Sequence, residues 1–486
     1  MSTRRQPWNE RFLQSLTFCL SALLASSPAW AADWSVSRQL TTRGTYTDNL
    51  NLDATDATDA KSGFFVDLAP GLVVTGTGRR LNLNLAYSPQ LIHYLSSSDN
   101  DELNHRLQAN AQSELYRDHL FLDLSATARQ ELIDPLGPSG GDATSPTGNL
   151  QTTYTYSISP SYKNRFGRQA VLNVSFAHDG VLYSEQGDDS PGFSSQIGLS
   201  SGPAFGALNW GISAQNERFE FEESAATSFG NVDGSLGYRF NGRWRLDTSA
   251  GYENNDYSSL NETSGANLQA SGTWTPTRRT SFRLGIGQRY FGWTPVLDFS
   301  HRSKRSAWTA SYTRDVSSAR NDRRQSDVFA FEDAFGEPIV PATGDTVTVR
   351  PGEATPTSAT YVSNNFQAGY TLQTRRSTLG TSLRYVLREY EGLTQDEETA
   401  GASLFWSRRL TTLTSGNMAL SWDRSERRNT ADADLDADES NNFNFNAGLS
   451  RQLSARTNLD LQYRFVDGED YTENRITLGL RMSWSD

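Results

Sequence analysis

Beyond its first 31 residues the chain contains no cysteine, since the single one is Cys19. Disulfide frameworks, thiol nucleophiles and cysteine metal sites are therefore excluded from that part. Histidine is nearly as scarce: His93, His105, His119, His178 and His301 are scattered, and none repeats at a metal-ligand spacing. After residue 31 nothing approaches the roughly 20 consecutive apolar residues that a membrane-spanning helix needs. Cations are in deficit, with 44 Lys and Arg against 56 Asp and Glu, so a basic nucleic-acid surface is not expected. No segment shows a helical period worth naming. Only 36% of the 486 residues are hydrophobic, yet 19 Tyr, 24 Phe and 11 Trp are too many aromatics for a disordered chain.

The N-terminus reads as a targeting segment. Arg4, Arg5 and Arg11 form a basic region, Phe12 to Ala25 a short apolar stretch, and Ala29-Trp30-Ala31 a small-residue cleavage site. We expect residues 1–31 to be removed as a signal peptide, leaving 32–486 as one domain. Three arginines and one glutamate leave with it, taking the net charge from -12 to -14.

What the rest of the chain has is strict alternation, the mark of strands with two different faces. Leu81, Leu83, Leu85 and Tyr87 alternate with Asn82, Asn84, Ala86 and Ser88; Leu459, Leu461, Tyr463 and Phe465 alternate with Asn458, Asp460, Gln462 and Arg464. The connections alternate as well. Short ones (Gly78-Arg79-Arg80, Asn241-Gly242-Arg243, Arg278-Arg279, Arg375-Arg376) take turns with long ones (48–62, 131–150, 255–263, 317–360, 427–440). A soluble sandwich has no reason to sort loop length by parity, whereas bacterial outer-membrane barrels combine short periplasmic turns with long extracellular loops. The short turns carry Arg, and the long loops carry acidic runs such as 432–438. Counting hairpins predicts an all-β, transmembrane antiparallel barrel of about 22 strands (roughly 16 to 24), with both termini periplasmic. A barrel that buries only alternate residues can be polar on average and still span a bilayer.

Aromatics toward strand ends (Tyr87, Tyr94, Tyr238, Phe240, Trp244, Tyr252, Trp274, Tyr290, Trp406, Trp422, Tyr463) suggest girdles at the two lipid–water interfaces. The last strand, 477–484, alternates, carries Gly479 mid-strand and ends Met482-Ser483-Trp484. It resembles the terminal signal read by the barrel assembly machinery, although Ser485 and Asp486 follow the aromatic. Outer-membrane lipid and that machinery are thus the expected partners.

Catalysis is not expected. Gly137-Pro138-Ser139-Gly140-Gly141 matches Gly-x-Ser-x-Gly, but it lies in a Pro/Gly-rich loop and not on a strand-to-helix turn. The acidic run at 432–438 lacks the Gly and Glu positions of a calcium loop, with Ala437 and Phe443 in their places. No cofactor or metal is implied. The polar pleat face is where function is expected. It carries Arg283, Arg289, Arg384, Arg388, Arg464 and Arg481 with Asp123, Asp247, Asp423 and Asp460, and should line the lumen. Arginines concentrated in the second half of the chain would make one side positive and favour anionic solutes. Barrels of this width hold a plug. No N-terminal plug is expected, since alternation begins near Trp34. The long segment 317–360, with Arg320, Arg323, Arg324, Glu332, Asp333 and Glu337, is expected to fold inward and constrict the pore.

Several short motifs carry a family resemblance: Tyr46-Thr47-Asp48-Asn49-Leu50-Asn51-Leu52, then Leu68-Ala69-Pro70-Gly71-Leu72 with an Arg-containing tight turn, then Leu83 to Tyr87. Arg375-Arg376-Ser377-Thr378-Leu379 and the terminal strand fit the same pattern. In layout the chain resembles the porin-like outer-membrane barrels associated with exopolysaccharide and PEP-CTERM/exosortase systems. The resemblance implies an outer-membrane role near polysaccharide export or surface-protein sorting, and brings no catalytic residues. The sequence thus leaves three functions open: a channel for exopolysaccharide or anionic solutes, a non-conducting structural component, and a rim enzyme.

Overall fold

The computed structural model describes residues 32–54, 61–95, 101–138, 140, 144–222, 224–259, 261–325, 329–330, 348–349, 355–393, 395–429 and 438–485. The alternating segments are strands of one closed antiparallel sheet. Two of its neighbouring strands are interrupted. One runs as Leu81–Tyr87 and Gln90–Tyr94, the other as Glu102–Asn104 and Leu107–Tyr116. Pro89, which has no N–H to give the ladder, sits in the first break. With each broken strand counted once, the barrel has 22 strands, the number expected from the hairpins. Counted from Asp33–Thr47 as first, the last is Thr472–Ser485, and these two close the sheet in register from Ser37–Ser485 to Thr47–Arg475. Closure leaves no unpaired edge, which the hydrocarbon core of a bilayer would not tolerate.

The outward face explains why the alternation is so regular. Leu236, Leu268, Ile286 and Leu478 are each more than half exposed, although they sit mid-strand. Such a continuous apolar belt is a liability in water and the normal surface of a barrel in lipid. Aromatic pairs flank it: Trp244 stacks on Trp274 at 5.7 Å and Trp308 meets Tyr370 at 4.1 Å, both near the short turns. Tyr94 and Tyr290 depart from the expected girdle. Tyr94 occupies the inward parity of its strand and is fully buried with Leu50, Phe65 and Ile92. Tyr290 stands in the turn after Thr280–Arg289, and its hydroxyl lies 2.9 Å from that of Tyr257. Burial pushes the Tyr257 phenol up to about 12.

Short and long connections lie at opposite rims, and the strands' two chain ends share the short-turn rim. The long-loop rim is less uniform than expected, since the connections at 290–291, 391–394 and 468–471 are short too. Several strands outrun the 9–11 residues a tilted crossing needs, with 17 residues each in Leu150–Phe166 and Asp438–Ser454. Their excess rises beyond the apolar belt as a ribbon. There the outward face becomes charged, with Arg424 bonded to Glu439 and Glu426.

The motif Tyr46–Leu52 closes the seam between first and last strands. The Asp48 carboxylate accepts from the backbone N–H (2.7 Å) and side-chain amide (2.8 Å) of Asn474. The Asn49 amide donates to the Asp53 and Thr472 carbonyls at 2.8 and 3.1 Å. Leu50 then packs on Phe65, Ile92 and Tyr94 to one side, and Leu52 on Val466 and Tyr471 to the other. Asp48, Asn49, Leu50 and Leu52 thus each have a structural task.

An α-helix escaped the sequence reading. Helix α1 (Ala319–Gln325) follows the fifteenth strand, Ser306–Ser318, within the long segment. Ser318 caps it, its hydroxyl accepting from the Asn321 N–H at 3.2 Å. No described helix is long and apolar enough to cross a membrane.

Candidate functional site: a polar lumen crossed by two segments

All ten wall residues singled out in the sequence share the pleat face opposite the exposed apolar side chains. Leu284 and Ile286 alternate with Arg283 and Arg289, and Leu383 and Tyr385 with Arg384 and Arg388. Leu461 and Tyr463 alternate with Asp460 and Arg464, Ile476 and Leu478 with Arg481. Asp123 stands likewise between Leu122 and Leu124, Asp247 next to Leu246 and Asp423 next to Trp422.

The expected positive side does not result. Arg283 pairs with Asp298 directly across the ladder at 3.6 Å, and Arg481 with Asp460 at 3.7 Å. Arg289 is clasped by Glu253 (2.6 Å) and Asp315. Arg384 reaches Asp423 over Gly401, where a Cβ would come within 2.9 Å of the guanidinium. Arg388 meets Glu397 at 3.6 Å and Asp322 at 3.8 Å. Arg464 donates to Asn446 and to the Gly140 carbonyl. Direct and diagonal cross-strand neighbours attract when oppositely charged, and the same pleat face supplies both signs. A count of arginines alone missed this.

Two segments at the long-loop end turn into the lumen. The first is α1. Arg320 is 1% exposed and bonds Asp179, Glu217 and the Ser190 carbonyl. Its guanidinium lies 4.5 Å from the centre of the Phe219 ring. Gly192 makes room for it, because a Cβ there would meet Nη2 at 2.5 Å. Burial lowers the pKa of Arg320 and Asp179 opposes that shift. Arg324 reaches Asp179 (2.7 Å) and Glu217 (2.8 Å), and Arg323 reaches Glu131 at 2.8 Å. Behind them Asp322 accepts from the Tyr361 hydroxyl at 2.6 Å. Glu131, Asp179 and Glu217 belong to the fifth, seventh and ninth strands, whereas α1 springs from the fifteenth. The contact to the fifth strand therefore spans ten steps around a ring of 22, close to a diameter.

The second segment joins the fifth and sixth strands, and its described residues are 133–138, 140 and 144–149. Asn149 ties it together by bonds to Asp134 and Pro138. Arg475 fastens it to the last strand, donating to the Thr144 and Ser145 hydroxyls at 2.6 and 2.8 Å. Arg475 itself is held by fully buried Glu473, which also accepts from Thr47. The Tyr94 hydroxyl donates to the Thr144 carbonyl at 2.8 Å. Across the lumen Arg427 bonds both Asp134 (3.2 Å) and Thr355 (2.8 Å).

Of the expected constriction residues, Arg320, Arg323 and Arg324 make these contacts, while Glu332, Asp333 and Glu337 lie outside the described residues. Sequence reasoning missed Glu131, Asp179, Glu217, Glu473 and Arg475. The inward parity of their strands is the signal that could have found them. In the terminal strand Met482 and Trp484 face outward beside the first strand, and Gly479 faces inward against Arg43, whose Cγ a Cβ would approach to 3.1 Å.

The histidines do not converge. His93 bonds Asp101, His105 bonds Tyr87, His119 and His178 bond backbone carbonyls, and His301 bonds Thr280. No group of three or more potential metal ligands occurs among the described residues. Ser139 and Gly141 of the Gly-x-Ser-x-Gly match, and residues 430–437 of the acidic run, lie outside the described residues.

No family model matches the sequence, and no curated protein does. Solved structures do match in shape. The FrpB iron transporter from Neisseria meningitidis (F5-1 variant) has a TM-score of 0.50 at 9% identity, over 93% of this chain and 82% of that one. Its apoprotein form gives 0.50 at 10% identity, covering 93% and 81%. The siderophore receptor PirA from Pseudomonas aeruginosa gives 0.45 at 9%, covering 92% and 80%. At such identity the likeness is one of fold alone. The chain has the closed, 22-strand antiparallel β-barrel fold of outer-membrane barrels.

Proposed function

We propose that this protein is an outer-membrane channel for hydrophilic solutes, closed at its long-loop end by α1 and the 133–149 segment. The observation that carries the reading is the ion-paired bridge from α1 to the fifth, seventh and ninth strands, nearly across the lumen. A structural strut would not need three arginines on buried acids, and an apolar plug would be drier and harder to release. Ion pairs and hydrogen bonds can be exchanged for water. The long-loop rim faces outward from the cell and both termini lie in the periplasm, with residues 1–31 cleaved on export and Gly479, Met482 and Trp484 read during assembly. Arginines paired with acids give the wall no excess charge to concentrate anions, so the anionic-solute reading draws little from them. Export of exopolysaccharide rests on the family resemblance together with the polar lumen. A non-conducting, structural role is the second reading, and the closed long-loop end favours it.

Single-channel recording of refolded 32–486 in a planar bilayer tests the proposal. Rare, discrete openings that become frequent when α1 is unlatched are expected. Silence from folded barrels both before and after unlatching would leave the structural role.

A further inference from the structure

The lumen wall away from the two plugs is not uniform. On the third to sixth strands, toward the short turns, the inward side chains form two rungs set one pleat apart. In one rung Asn82 faces Gln112, Gln112 faces Asp123 and Asp123 faces Ser159. In the other, Asn84, Asn110, Ser125 and Ser157 follow in the same order. Together they line a shallow cleft of about 250 Å³. None of these eight side chains is taken up by a hydrogen bond or ion pair among the described residues. Elsewhere on the wall Arg245, Arg283, Arg384 and Arg481 are each engaged by an aspartate.

We propose that this amide-and-hydroxyl lattice binds uncharged carbohydrate. The inference rests on the channel reading only in placing the lattice on a solute's path. Neighbouring strands stand about 4.8 Å apart, so each rung offers donor and acceptor groups in an evenly spaced row. An amide presents both a donor and an acceptor, and a carboxylate two acceptors. Adjacent hydroxyls of a sugar meet such groups pairwise, replacing the waters that otherwise hydrate them. Phe121 shares the pleat face of Asp123, two residues away, and supplies an apolar ring for the C–H face of a sugar. An anionic solute would meet no cation in the lattice and would be repelled by Asp123. An apolar one would strip water from the amides and the Asp123 carboxylate without replacing their hydrogen bonds.

The test is calorimetric titration of refolded protein in detergent with maltohexaose, hexagalacturonate and a glycine–serine peptide as probes. We expect maltohexaose alone to bind, and Asn84→Ala with Asn110→Ala to weaken it at least tenfold. Gln269→Ala on the far wall should leave it unchanged. Folding of each variant is checked by heat-modifiable gel mobility; should the first pair misfold, Ser157→Ala with Ser159→Ala takes its place. No binding of maltohexaose, binding unaffected by lattice variants, or equal binding of the acidic sugar or the peptide would each overturn the assignment. Intact, lattice-dependent binding by a barrel that never conducts would uphold the site while sinking the channel.

Discussion

Arg320 is the place to press the gating argument. Replacing it with Met keeps the length of the side chain and removes the charge. Breaking a buried ion pair by deleting one partner costs about 3–5 kcal/mol, mostly because the surviving charge is stranded. Here Asp179 and Glu217 would not be wholly stranded, since Arg324 reaches both at 2.7 and 2.8 Å. The Phe219 ring would also keep an apolar neighbour in the Met side chain. We therefore take the cost as about 2–3 kcal/mol, below that range. None of it falls on the barrel's ladder, because α1 lies outside the sheet. The whole penalty bears on the equilibrium between latched and released α1, so the released fraction should rise about 30- to 160-fold. Planar-bilayer recording reads this as open probability, with conductance of the open state unchanged. Unaltered open probability in a folded R320M barrel would refute α1 as a latch, whatever its contacts. A rise that came with loss of heat-modifiable mobility would show that Arg320 stabilises the barrel instead.

Two further outcomes follow from the same geometry. Leu284, mid-strand and about half exposed on the outward face, should tolerate polar substitution poorly: Leu284→Arg is expected to cost about 2–4 kcal/mol in urea unfolding from lipid vesicles. The reverse change at an outward position of the charged ribbon, Arg424→Leu, breaks only partly exposed ion pairs and should cost about 1 kcal/mol or less, which makes it the control. Gly479→Leu should slow assembly into vesicles, because its side chain would collide with Arg43, which is bonded to Asp67. Assembly at the normal rate would show that the seam relaxes around it.

The barrel was legible because a two-faced strand writes its period directly into sequence, and twenty-odd repeats of one pattern leave little choice of fold. Strand number and the rim of each long loop followed. The lumen was legible only by halves. Arg283 and Arg384 could be put on the inward face by parity, but their partners depend on register, which no single strand contains. Helix α1 was hidden for another reason: Ala-Arg-Asn-Asp-Arg-Arg-Gln is polar on every side, so it has no apolar stripe to betray a period. Its order comes from Ser318 and from acids on strands more than a hundred residues away. Tyr94 misled because an aromatic near a strand end looks the same whether it meets lipid or a plug. Its buried contacts with Leu50 and Thr144 decide the matter.

The two inward segments differ in a way that separates their roles. The innermost α1 contacts are buried on both sides, with Arg320 and Asp179 each 1% exposed, Arg323 5% and Glu131 2%, while the Arg324–Glu217 pair beside them is partly open at 22% and 24%. The 133–149 segment is held to the wall by hydrogen bonds from Arg475, Arg464 and Tyr94, and its ion pair across the lumen, Arg427 to Asp134, is open to water at 22% and 46%. Raising ionic strength from 0.1 to 1 M shortens the screening length from about 10 to 3 Å, which acts on exposed pairs and hardly on buried ones. If the 133–149 segment sets the opening rate, openings should become more frequent with salt, and Arg427→Gln should mimic high salt and abolish its effect. If α1 sets it, salt should matter little in either protein. We expect the first outcome for brief openings and the second for the long closures between them, because an exposed bridge of one ion pair yields sooner than a buried network. Equal salt dependence of both dwell times would mean that the segments move as one, and the distinction drawn from their burial would fall.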